Sequence, residues 1–463
     1  DKMKNDIINN SAGELNPAFL NQLLDKYSKE LKIKKWDMGA TSSKDISVQV
    51  QQGNAKQLKG SQRNSMTLRV WNNKKVGITS TSDLTTEGIK KAMVGAIEAS
   101  VFGNEKESPE FSSLAKTPLK EIKLIHSKNH GIDELLLILK NAEKKLIETH
   151  HSIDSVPYNG LSESFIERIY INRDGANRFM KLSQASIYLY AKSQEENKKP
   201  RSAGGIRINN NLEQLDIDSC ISETSNKLVS HLNYKPIETN KYLICFTPES
   251  FLQLISAFSS MFNARSIIDG LSLMNEDSIG KKIAVQNLNI SDEGLHPENV
   301  GAFTFDGEGT PTQDIPLIKS GILTNLLHSE ATARKFNVNP TGHAGLGAKV
   351  SVSPDWLVVS KSNDNSDKNE SLNIRSTLDQ YILIDELSAL HSGVKASQGS
   401  FSLPFDGWLV KGGIKTSIEA ATVAGDILKV LNSIVKIENE QIVTHQGISP
   451  YVWVENMSIT GEA

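Results

Sequence analysis

Phe305-Asp306-Gly307-Glu308-Gly309-Thr310-Pro311-Thr312-Gln313 packs two carboxylates, two glycines and a proline into nine consecutive residues. Ile315, Leu317 and Ile318 follow, and then Lys319-Ser320-Gly321-Ile322-Leu323. Apolar residues on both sides of a Ser-Gly corner read as a β-hairpin, entered through an acidic turn. Such a turn either serves the fold alone or forms the polar rim of a cleft that orients substrate. On the second reading Asp306, Glu308, Thr310 and Gln313 are the candidate cleft residues, joined by His343 from the glycine-rich stretch Gly342-His343-Ala344-Gly345-Leu346-Gly347. That stretch lacks the spacing of a dinucleotide fingerprint and reads as a loop.

Working toward the N-terminus, the texture is regular. Leu20, Leu23, Leu24 and Tyr27 mark an opening helix. Ile46, Val48 and Val50 alternate, as do Met66, Leu68 and Val70, and a turn at Asn72-Asn73 leads to Val76 and Ile78. This pattern predicts an antiparallel hairpin. Ile89, Met93, Ala96 and Ile97 then repeat at helical spacing behind Asp83 and Thr85, both possible caps. Residues 103–125 are polar and proline-punctuated, hence a linker. A second apolar stripe runs through Leu135, Leu139, Ala142 and Leu146, and a third through Ile217, Ile221 and Leu228. Between them a hairpin from Phe165-Ile166 to Tyr188-Tyr190 turns at Asn172-Arg173-Asp174-Gly175.

Around 236–240 the chain becomes richer in glycine and irregular apolar runs. The expected division is therefore an N-terminal α+β domain over 1–238 and a C-terminal β-rich domain over 239–463. In the second, Phe251, Ile255, Phe258 and Phe262 predict a helix over 248–262, and Ala424, Ile427, Leu431 and Ile434 a late one. Phe401-Ser402-Leu403-Pro404-Phe405-Asp406-Gly407-Trp408 is either core or a lining for a contact or tunnel.

Composition narrows the function. At 463 residues the chain is long enough for about two or three domains, with 38% apolar residues and a net charge of −3. There is no basic excess for a phosphate backbone, so direct nucleic-acid binding is not expected. No apolar run is long enough to span a bilayer. Two cysteines, Cys220 and Cys245, cannot build a disulfide framework or a cysteine-based zinc site. A cytoplasmic protein is expected.

Chemical signatures are sparse. Neither Gly-x-x-x-x-Gly-Lys-Ser/Thr nor Gly-x-Ser-x-Gly occurs. Ser433-Ile434-Val435-Lys436 matches Ser-x-x-Lys, a pattern that chance supplies readily. No histidine pair sits on a helix around a carboxylate base: His150-His151 are adjacent, and His126 and His130 fall in a loop. The acidic stretch Asp364 to Glu370 lacks the central glycine of a calcium loop.

The block Asp306-Gly307-Glu308-Gly309-Thr310-Pro311-Thr312-Gln313, the hairpin after it, Ala331-Thr332-Ala333-Arg334-Lys335 and Pro340-Thr341-Gly342-His343 together resemble the TldD/PmbA family. Ser80-Thr81-Ser82-Asp83-Leu84, Asn172-x-Asp174-Gly175 and the terminal Val454-Glu455-Asn456-Met457-Ser458-Ile459-Thr460-Gly461 extend the likeness over the whole chain, in order. The resemblance implies a two-domain α+β fold with antiparallel sheets and packed helices. It also implies membership of an intracellular metallopeptidase complex acting on unfolded peptides.

In that family one subunit, the TldD kind, carries His-Glu-x-x-x-His on a helix and a late cysteine. The other, the PmbA or TldE kind, lacks both and pairs with the first. Here Gln253-Leu254-Ile255-Ser256-Ala257-Phe258 stands at the motif's position, no histidine lies between His231 and His296, and Thr444-His445-Gln446-Gly447 stands near the cysteine's. The resemblance thus implies a PmbA/TldE-type subunit with no catalytic residue, metal or cofactor of its own, forming a heterodimer with a zinc subunit, or a homodimer. Two alternatives stay open. One is a regulatory protein of the DNA gyrase modulator kind. The other is a self-sufficient peptidase with a different catalytic set, for which Ser256, Ser259 and Ser260 could be invoked.

Overall fold

Six strands from the first half of the chain make one antiparallel sheet: β1 (Lys35–Gln51), β2 (Asn54–Asn72), β3 (Lys75–Thr81), β4 (Ile153–Asn172), β5 (Asn177–Ser193) and β6 (Arg201–Asn209). Their order is β3-β2-β1-β4-β5-β6. The computed structural model describes residues 15–105, 108–123, 127–362 and 379–462. His126 and the Asp364–Glu370 stretch lie outside the described residues.

Two predicted turns close hairpins of this sheet. Asn73 and Lys74 adopt positive φ (51° and 66°) between β2 and β3, the conformation a two-residue hairpin requires. At Asn172 the side-chain oxygen accepts from the N–H groups of Asp174 and Ala176, and Gly175 takes φ 91°. The link between β1 and β2, at Gln52-Gly53, is not legible in the sequence, because residues 54–63 of β2 are mostly polar and exposed, with Leu58 exposed too, and show no alternation.

Period-2 geometry assigns the two faces of β1 different work. Trp36, Met38 and Ala40 pack under α1 (Pro17–Glu30) and α2 (Thr86–Ser100). Val48 and Val50, farther along the same face, pack under α3 (Ile132–Glu148) and α4 (Ile217–Ser230). One long strand therefore feeds two separate apolar cores. Thr85 caps α2, its side chain accepting from Gly88 N, while Asp83 receives the N–H and hydroxyl of Thr85. On the opposite face of the sheet Asp37 and Gly39 meet the second half of the chain. A Cβ on Gly39 would lie 3.4 Å from the Gly307 carbonyl.

The 103–125 segment contains no strand among its described residues, 103–105 and 108–123, and works as a strap. Pro109 O accepts from Trp71 Nε1, and Ser112 Oγ bonds Thr310 Oγ1 at 2.6 Å.

The second half builds a mixed sheet. Gln380–Leu387, Asn240–Phe246, Val452–Gly461, Ala421–Asp426 and Ser400–Lys411 pair in that order, and the first pairs again with the last, closing a ring. Gln380–Leu387 runs parallel to Asn240–Phe246; the other pairings of the ring are antiparallel. A smaller sheet holds Leu288–Glu293, Asp314–Lys319 and Leu357–Lys361. Ser320 and Gly321, both at positive φ, close the hairpin read from the sequence.

α5 spans Pro248–Ala257, shorter than the predicted 248–262, and a 3₁₀ turn covers Ser259–Phe262. The chain is drawn off the helical path because Leu327 N bonds Phe262 O and Ala264 N bonds Leu327 O. Phe251, Ile255, Phe258 and Phe262 are nonetheless all fully buried, each worth about 1.5–3 kcal/mol against exposure. The late helix is likewise shorter, Ile427–Asn432. Asp426 caps it, leaving Ala424 in one strand and Ile434 in the next. Phe401, Leu403 and Phe405 are core residues of the ring, and Trp408 packs on its other face with Tyr381 and Trp453.

The architecture is thus α+β with largely antiparallel sheets and packed helices. Among the described residues no helix is long and apolar enough to cross a membrane.

Candidate functional site

The acidic block forms a buried joint between the two halves. Asp306 Oδ1 accepts from the N–H groups of Glu308 and Thr310, and its Oδ2 from Ala344 N. Burial, reinforced by the Glu308 carboxylate and opposed by these three donors, pushes Asp306 up to about 7. Glu308 Oε2 accepts from Arg69 Nη1 at 3.1 Å, and its Oε1 accepts from Glu330 N. Arg69, fully buried on β2, forks onto both oxygens of Asp37 (2.9 and 2.5 Å), and Asp37 also receives the Tyr170 hydroxyl. A buried Asp37–Arg69–Glu308 triad therefore ties the first sheet to the second half of the chain. Gly309 is required there. It takes φ 79°, and a Cβ would stand 2.5 Å from the Tyr170 ring.

Thr310 is fully buried, and Gln313 Nε2 donates to the carbonyls of Pro311 and Pro340. His343 is buried, with Nδ1 2.7 Å from Thr341 Oγ1. Asp306, Glu308 and Thr310 are buried instead of rimming a cleft, and none of the five candidates lines the large cleft described next. Two carboxylates in a turn look the same in sequence whether they face water or a buried arginine.

The cleft, about 570 Å³, opens between β6, the first turn of α5, the end of Gln380–Leu387 and the Thr444-His445 loop. Tyr188, Tyr190 and Ile206 give it an apolar wall. Its floor is charged. Lys227 Nζ, on α4, lies 3.1 Å from Asp385, 3.2 Å from Glu223 and 4.0 Å from Glu249. Burial would lower the Lys227 pKa, but the three carboxylates more than reverse this and raise it. Glu249 is pushed up to about 7 by burial, with Lys227 pulling it down and Asp385 and Glu386 pushing it up. Burial lowers His445. β6 is the last strand of its sheet, paired only to β5 among the described residues, so its outer edge borders the cleft.

Of these residues Tyr188 and Tyr190, as a strand end, His445 and the α5 region stood out in the sequence. Glu223 and Lys227, four apart on α4, and the acidic pair Asp385-Glu386 ending an apolar strand were available signals.

The zinc that the resemblance assigns to the family's other kind of subunit does not fit this cleft. At the motif's position Gln253 Oε1 accepts from Leu387 N, and Leu254, Ile255 and Phe258 are core. Glu249 and His445 are present, but a lysine ammonium stands within 4.0 Å of Glu249, where a cation would compete with it.

Three family models match successive parts of the chain: PmbA/TldA metallopeptidase domain 1 over residues 36–100, the central domain over 125–232 and the C-terminal domain over 239–461. The metalloprotease PmbA homolog of Buchnera aphidicola (Acyrthosiphon pisum) is 25% identical over 402 residues, covering 85% of this chain and 86% of that one. Metalloprotease PmbA of Escherichia coli O157:H7 is 20% identical over 434 residues, covering 92% of each. Among solved structures, a candidate modulator of a DNA gyrase from Thermotoga maritima superposes with TM-score 0.85 at 22% identity, covering 96% of this chain and 99% of that one. TldE from Thermococcus kodakarensis gives 0.83 at 19%, covering 96% and 100%. With its sheets, its helices and nearly its whole length matched in order, the chain belongs to the PmbA/TldD metallopeptidase family.

Proposed function

We propose that this chain is the PmbA/TldE-type subunit of a cytoplasmic two-subunit metallopeptidase. It would pair with a TldD-type zinc subunit and shape the chamber in which unfolded peptides are cut, without the family's zinc site. The observation that carries the reading is Lys227. The first turn of α5 and Thr444-His445 face one cleft, the later turn at the motif's position being buried in the core, and the cations beside the cleft's carboxylates are side chains of the chain itself, Lys227 foremost. An ammonium neither polarises a carbonyl as a Lewis acid nor generates a hydroxide.

Substrate guidance fits the rest of the cleft. An extended peptide laid along the free edge of β6 gains main-chain hydrogen bonds whatever its sequence, which suits unfolded substrates. Gly204 and Gly205 keep part of that edge bare, and Tyr188 and Tyr190 offer aromatic surface. A second reading, regulation by protein binding, draws on the description of the Thermotoga maritima neighbour as a candidate gyrase modulator. With a net charge of −3 its partner would be protein, not DNA.

Pairing implies an interface of about 2,000 Å² or more, heterodimeric with a TldD-type chain and two-fold symmetric when the chain is alone. Co-purification with a TldD-type subunit, with light scattering of the chain alone, tests this. A chain that is monomeric at micromolar concentration and binds no such subunit contradicts it.

A further inference from the structure

Outside the cleft, three segments bring one histidine and two aspartates together. Asp292 is the last residue but one of the strand Leu288–Glu293, His343 follows Gly342, and Asp355 stands two residues before the strand Leu357–Lys361. His343 Nε2 lies 3.4 Å from Asp292 Oδ1 and 3.7 Å from Asp355 Oδ2, and one ligand atom from each residue falls within 4.8 Å of the others.

The hydrogen bonds around the ring allow Nε2 to present a lone pair. Thr341 Oγ1 accepts from His328 N and can donate its single proton to His328 O. Its remaining lone pair then receives Nδ1–H of His343 at 2.7 Å. That assignment satisfies every partner and leaves Nε2 as a bare lone pair. Nε2 is buried and has no hydrogen-bond partner, in a side chain that is fully buried. With that tautomer a lone pair and two carboxylates converge on one point, a cluster of acceptors that either a proton on Nε2 or a bound cation would neutralise. Asp292 is also held in place, its Oδ2 accepting from Asp355 N and its Oδ1 from Trp356 N. The nearby cation, Arg168, donates its Nη1 to Phe305 O and lies over the Phe303 ring, and reaches Asp355 only through its charge.

We propose that Asp292, His343 and Asp355 form a binding site for one divalent cation of the zinc class, distinct from the family's helix-borne site. Ligand atoms about 2.0–2.2 Å from a tetrahedral ion stand about 3.3–3.6 Å apart, close to the separations seen. One imidazole nitrogen and two carboxylate oxygens form a mixed set suited to a borderline ion, with a fourth position left for water. The Thr341 hydroxyl on Nδ1 and the two N–H groups on Asp292 supply the orienting outer contacts such a site needs. The Asp355 side chain, 37% exposed, gives the ion a way in. The expectation of no bound metal rested on helix-borne histidine pairs. It could not reach ligands 51 and 12 residues apart along the chain.

The test is zinc titration of the full chain after stripping with chelator, by calorimetry and by elemental analysis after dialysis. One zinc per chain is expected. Asp355→Asn should weaken binding about 100-fold or more, since outer-contact changes alone cost 10–100-fold. Asp355→Ala at the same partly exposed position is the second variant, with circular dichroism confirming the fold. Glu249→Gln, in the cleft, should leave zinc binding unchanged. Wild-type chain that retains no zinc overturns the proposal. So does zinc binding that survives both Asp355 variants, or that is lost with Glu249→Gln.

Discussion

Arg69 carries more of the joint than any other side chain. It is the one cation among two buried carboxylates, Asp37 and Glu308, which come from different halves of the chain. Removing it by Arg69→Met leaves both carboxylates buried and unpaired, which should cost about 3–5 kcal/mol. Urea denaturation should show the midpoint falling accordingly; a loss under about 1 kcal/mol would mean that water already reaches the triad. His231 makes a different prediction. Its ring is buried, stacked on Trp408 at 4.9 Å, with Nδ1 2.7 Å from Ser417 Oγ. Burial first, then the charges of Arg201, Lys227 and Lys415, push its pKa down to about 3. The folded value lies below the unfolded one, so the unfolded chain takes up the proton first as pH falls. Stability contributed by the neutral ring is complete above the unfolded pKa of 6.5 and is lost between there and about 3. At pH 5 the loss is about 2 kcal/mol relative to pH 8. His231→Gln should remove that part of the slope when stability is compared at the two pH values; an unchanged slope would mean that the ring is already charged in the fold.

Elements follow local rules where the chain stays local. The Ser320-Gly321 corner shows how tightly. Gly321 sits at φ 80°, and a Cβ there would stand 2.4 Å from Ala284 O and 2.7 Å from Val285 O. Gly321→Ala should therefore destabilise by about 1–3 kcal/mol from backbone strain alone, before the overlap is relieved. A melting temperature equal to wild type would show that the hairpin relaxes freely. The same locality explains what could be read in advance. Apolar stripes gave the helices at 132–148 and 217–230, and turn dipeptides gave two hairpins of the first sheet. Reading failed where distant chain intervenes, as where Leu327 draws Phe262 out of α5 and Asp426 starts a helix two residues after Ala424. The site was harder still. Asp306 and Glu308 stood out by composition, yet their partners Arg69 and Ala344 lie 239 and 38 residues away. The cleft takes Lys227, Glu249, Asp385 and His445 from four separate segments, and no spacing rule connects them.

At the scale of the whole molecule, the first sheet is worked on both faces. Helices cover one face, and the acidic joint fastens the second half of the chain to the other. This leaves the edge strand β6 beside a cleft whose cations are the side chains of Lys227 and Arg207. The central claim is that such a cleft guides peptide without cutting it. The direct measurement is cleavage of an unfolded peptide by the purified chain, by a TldD-type zinc subunit, and by the two together. The account predicts no cleavage by the chain alone, even with added zinc, and faster or altered cleavage by the pair than by the zinc subunit by itself. Chelator-sensitive or chelator-resistant cleavage by the chain alone, or a TldD-type subunit whose cleavage is unaffected by it, would contradict the account.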